Sequence, residues 1–81
     1  MKTQVGEITH FFPNVMVAVV KVDKDMKIGD KVLIEGHATS FEQTVESMQI
    51  DRKPINTAKK GQEIGLKVDN IVKEKDKIFK L

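Results

Sequence analysis

The chain has no cysteine, tryptophan or tyrosine, and four phenylalanines are its only large aromatic side chains. Without cysteine there is no disulfide, no thiolate chemistry and no cysteine-based metal site. Without tyrosine or tryptophan there is no broad platform for stacking the bases of a single strand. A large excess of one charge is also missing. Fourteen Lys and Arg against twelve Asp and Glu leave +2, too little to hold nucleic acid by electrostatics alone. The longest apolar run, Val15 to Val20, is far shorter than the ~20 residues that span a bilayer. Met1 to Glu7 carries no apolar signal core. No Gly-x-x-x-x-Gly-Lys-Ser/Thr loop is present to cradle a phosphate, so nucleotide hydrolysis of the usual kind is not expected. These absences point to a soluble cytoplasmic protein with no membrane segment.

What remains is an ordinary globular composition, 40% hydrophobic and 32% charged in 81 residues. That length allows one domain with a thin core. Helical periodicity is almost absent. Short Val- and Ile-rich runs bounded by Gly, Pro, Asn and Asp recur every ~8–12 residues, which predicts a sandwich or barrel. Strands are expected at Val5–His10, Val15–Val22, Lys31–Glu35, Ser40–Ile50, Glu63–Asp69 and Lys77–Leu81. Phe11-Phe12-Pro13-Asn14, Gly29-Asp30, Gly36–Thr39 and Lys59-Lys60-Gly61-Gln62 read as turns, with Gly61 at a positive φ. Asp51-Arg52-Lys53-Pro54 breaks the ladder, and the sequence shows no internal repeat. In the Ser40–Ile50 run, Phe41 and Val45 share one alternation phase, and Met48 and Ile50 the other. Either a β-bulge sits near Glu46-Ser47 or two short strands meet at a kink. Val15–Val22 is apolar on both faces at its centre. It is either the most enclosed strand or one whose outer row meets another chain.

No catalytic constellation stands out. His10 and His37 have no neighbouring ligands at metal spacing, so neither a metal nor a cofactor is expected. Ser40 and Ser47 lack a nucleophile setting, and Glu46 and Asp51 are not spaced for acid–base work. The chain is therefore expected not to be an enzyme. The better candidates form a binding surface. Phe11 and Phe12 offer rings that either stack on a base or plug the barrel, and Arg52, Lys53, Lys59 and Lys60 offer cations for a phosphate backbone. Lys73, Lys75, Lys77 and Lys80 alternate with Glu74 and Asp76, a mixed solvated stretch rather than a basic arm.

Three segments carry a resemblance. Ile28-Gly29-Asp30-Lys31-Val32 with Ile34-Glu35-Gly36, Val45-Glu46-Ser47-Met48, and Ala58-Lys59-Lys60-Gly61-Gln62-Glu63-Ile64-Gly65-Leu66 resemble the barrel domain of elongation factor Tu and initiation factor 2. Phe41, Val45-Glu46 and Met48 with Pro54-Ile55, and the ending Asp76-Lys77-Ile78-Phe79-Lys80, resemble translation elongation factor-like proteins and the C-terminal barrel of collagenase-like peptidases linked to tRNA modification. The resemblance implies an all-β, six- or seven-stranded Greek-key β-barrel of the translation-factor domain II type. Its core would be Ile28, Val32, Ile34, Met48, Ile64, Leu66 and Val68. It also implies a translation accessory that binds the ribosome, tRNA or rRNA. The other reading is a protein-interaction module on a separate catalytic subunit, either a GTPase or a tRNA-modifying or peptidase-like enzyme, docked through Val15–Val22.

Overall fold

The computed structural model describes residues 3–81; Met1 and Lys2, part of the signal-peptide reading, lie outside the described residues. Ten strands follow one another: β1 Thr3–Phe12, β2 Val17–Val22, β3 Met26–Lys27, β4 Lys31–Glu35, β5 Ser40–Thr44, β6 Met48–Ile50, β7 Lys53–Ile55, β8 Thr57–Ala58, β9 Glu63–Lys67 and β10 Lys77–Lys80. Eight of them form one curled sheet in the order β5-β4-β10-β1-β2-β9-β6-β7, and β3 pairs with β8. The fold is a small all-β barrel, as expected, but its strands outnumber the expected six or seven. The surplus comes from β3, β6, β7 and β8, which are two or three residues each.

The interior is aliphatic. Val5, Ile8, Val20, Val22, Val32, Ile34, Val45, Met48, Ile64, Leu66 and Ile78 are all buried, with Met26 and Val72 beside them. Of the expected core only Ile28 fails. It sits in the turn before β4 and is 38% exposed. Met26, two residues earlier, takes the buried place through the β3–β8 pair. Alternation within β1 is broken twice by shifts of register, between Gln4 and Gly6 and between Ile8 and His10. The second shift leaves Thr9 unpaired in the β1–β2 ladder, its hydroxyl donating to the Val19 carbonyl at 3.3 Å. This bulge allows Ile8 and Phe11, three apart, to face the core.

The Ser40–Ile50 run is two strands at a kink, not one strand with a bulge. Residues 45–47 leave the sheet at the corner where the chain passes from β5, paired with β4, to β6, paired with β9 and β7. Asp51-Arg52 does not end the ladder. Ile50 pairs with Lys53 across it, and both turn residues hold positive φ, 50° and 65°. This is the hairpin turn that matches right-twisted strands, and it favours Asn-Gly or Asp-Gly. Pro54 is tolerated because β7 is a sheet edge.

A short turn recurs before three strands. In Lys27–Asp30, Lys59–Gln62 and Lys73–Asp76 the fourth residue's N–H donates to the first residue's carbonyl, each at 3.1 Å. The fourth side chain in turn accepts from the first N–H: Asp30 at 3.0 Å, Gln62 at 2.7 Å and Asp76 at 2.9 Å. The third residue has a positive φ in each: Gly29 97°, Gly61 89° and Lys75 75°. Only glycine holds that conformation without a Cβ penalty. Lys75→Gly should therefore raise stability by about 0.5–1 kcal/mol, read as a higher urea midpoint at unchanged slope.

Candidate docking groove

The outward rows of β2, β9 and β6 build an open groove of about 680 Å³ on the barrel wall. Alternation along β2 sends Ala18, Val20 and Val22 inward, so Val17 and Val19 face out at half burial. Opposite Val19 lies Gly65, which in turn pairs with Gln49. A Cβ at Gly65 would lie 3.2 Å from both Val17 Cγ1 and Gln49 Cγ, so the bare backbone keeps the floor open. Phe12 and Val15 wall one end, 52% and 60% exposed. Asp51, Arg52 and Glu63 line the other end.

The six candidate binding residues divide across this geometry. Phe11 turns inward and packs against the core, while Phe12 faces out with its ring centroid 6.2 Å from that of His10. Both belong to β1, not to the turn, which is Pro13–Met16. Phe12 pairs with Val17, and Val17 with Lys67. The β6–β7 tip extends past the Gln49–Gly65 pair, towards Glu63. Arg52 and Lys53 therefore lie near the start of β9, and the Lys59-Lys60 turn leads into that same end. Of these basic residues only Arg52 lines the groove, and Phe12 stands at the far end of β9, four residue steps or roughly 14 Å along that strand. Rings and cations do not flank one point.

Among the described residues the charges at this end, Asp51, Arg52, Lys53 and Glu63, make no ion pair with one another. The ion pairs lie elsewhere: Lys77–Glu7 at 2.9 Å, Lys80–Asp30 at 3.5 Å and Lys31–Glu42 at 3.8 Å, and His10 Nδ1 lies 3.3 Å from Glu74 Oε2. No group of three or more His, Asp or Glu converges as a metal site among the described residues. No helix there is long and apolar enough to cross a membrane. Sequence reasoning missed Val19, Gly65 and Gln49 as a shared surface. Their only signal was the doubly apolar β2 and a glycine in the middle of an alternating strand.

The chain is 40% identical over 81 residues to an uncharacterized protease of Methanocaldococcus jannaschii, a match covering 99% of the chain and 20% of the relative. It is 31% identical over 81 residues to a collagenase of Porphyromonas gingivalis, covering 98% of the chain and 22% of that protein. It superposes on the C-terminal domain of a U32-peptidase-type protein of Geobacillus thermoleovorans with a TM-score of 0.89 at 20% identity, over 95% of this chain and 90% of that one. The chain has the fold of that domain. It spans about one-fifth of the length of the two relatives. No family model matches.

These matches uphold the peptidase half of the resemblance and overturn the other. The relatives are a protease and a collagenase, so the expectation of an elongation-factor-like, ribosome-associated translation protein is withdrawn. Two of the three segments that suggested it, Ile28–Val32 and Ala58–Leu66, overlap copies of the recurring turn described above, at Lys27–Asp30 and Lys59–Gln62; the third is Val45–Met48.

Proposed function

We propose that this chain is a non-catalytic β-barrel that docks onto the catalytic part of a U32-peptidase-type or collagenase-type enzyme. One observation carries the reading: the whole chain corresponds to only a fifth of each larger relative. A piece of that size, with the fold of a C-terminal domain, fits an attached module better than a reaction centre. The groove supplies a surface for docking. Phe12, Val15, Val17 and Val19 expose apolar area along the strand singled out for a double apolar face, and covering such area is favourable by ~25 cal/mol per Å².

Co-expression of the tagged chain with a U32-type catalytic polypeptide of its host is expected to yield a complex that survives about 0.5–1 M salt, because apolar contacts hold as salt rises. Phe12→Ser combined with Val15→Glu should cut recovery by about tenfold or more, the effect of losing two exposed apolar contacts and burying a charge in their place. Both residues are exposed, so the circular dichroism spectrum should not change. Absence of any complex would sink the docking reading. An undiminished complex with the double variant would take the groove out of the interface.

A further inference from the structure

We draw no further inference here: the strongest candidate, the open groove on the outward rows of β2, β9 and β6 with Phe12 and Val15 at one end, belongs to the docking surface already described, and nothing in the structure shows what covers it.

Discussion

Gly36→Ala is expected to cost about 2–4 kcal/mol, an unusually large loss for one methyl group. The residue is exposed and its φ is unremarkable, so backbone strain is not the reason. The obstacle is Asp76. A Cβ at position 36 would overlap Asp76 Oδ1 and stand 2.6 Å from its Cγ. That carboxylate cannot simply swing away. It is buried, and its Oδ2 accepts the Lys73 N–H at 2.9 Å. The turn it caps also fastens β1, because the Asp76 carbonyl accepts from Ile8 N–H at 2.8 Å and Lys75 N–H donates to the Ile8 carbonyl at 2.7 Å. Moving Asp76 therefore exposes an unpaired amide and loosens the loop leading into β10. A double-mutant cycle isolates the mechanism. In an Asp76→Ala background the clash is gone, and Gly36→Ala should then cost less than about 0.5 kcal/mol. If the glycine substitution costs the same in both backgrounds, the Asp76 contact is not its cause. Urea midpoints at constant slope are the measurement.

The same pair shows what the sequence could and could not reveal. Gly36 read correctly as part of a connection, because glycine, alanine and threonine after a five-residue strand mark a turn. Its dependence on a carboxylate forty positions away has no local signature. Two of the three recurring turns were legible through Gly29 and Gly61. The third was hidden because Lys75 occupies the glycine position, and only the backbone shows the equivalence. Strands with clean alternation, Lys31–Glu35 and Ile64-x-Leu66-x-Val68, were legible because one face is core and the other solvent. β1 was legible as a strand, but its bulge, which decides that Phe11 faces in and Phe12 out, depends on pairing with β2. The groove follows the same logic. Val15–Val22 announced an apolar outer row, whereas Gly65 and Gln49 join it only through register. The translation reading rested in two of its three segments on this recurring turn, which carries geometry but no ligand.

Gln43 should prove the most consequential polar side chain in the barrel. It alternates in phase with Phe41 and Val45, and it is buried. Its amide spans a gap in the backbone ladder. Nε2 donates to the Lys67 carbonyl at 2.9 Å, and Oε1 accepts from the Asp69 N–H at 2.8 Å. The two bonds bracket buried Val68, as a paired strand residue would. They tie the free edge of β5 to the chain leaving β9, where the sheet has no backbone pairing. Gln43→Ala should cost about 2–4 kcal/mol, since it opens a cavity and strands one donor and one acceptor. Gln43→Leu restores the volume without the bonds and should recover less than half of that loss; full recovery would mean packing alone matters. Gln43→Glu is the sharpest probe. A carboxylate can accept from Asp69 N–H but faces the Lys67 carbonyl with no proton to give. Its folded-state pKa should therefore rise above the ordinary ~4.3 of the unfolded chain. The folded variant then binds its proton more tightly than the unfolded one. Its deficit relative to the parent should be smallest below about pH 4, where the acid donates as the amide does, and should grow as pH rises through the folded-state pKa. A deficit independent of pH would show that the side chain at position 43 does not meet the Lys67 carbonyl, and the edge would have to be closed by other means.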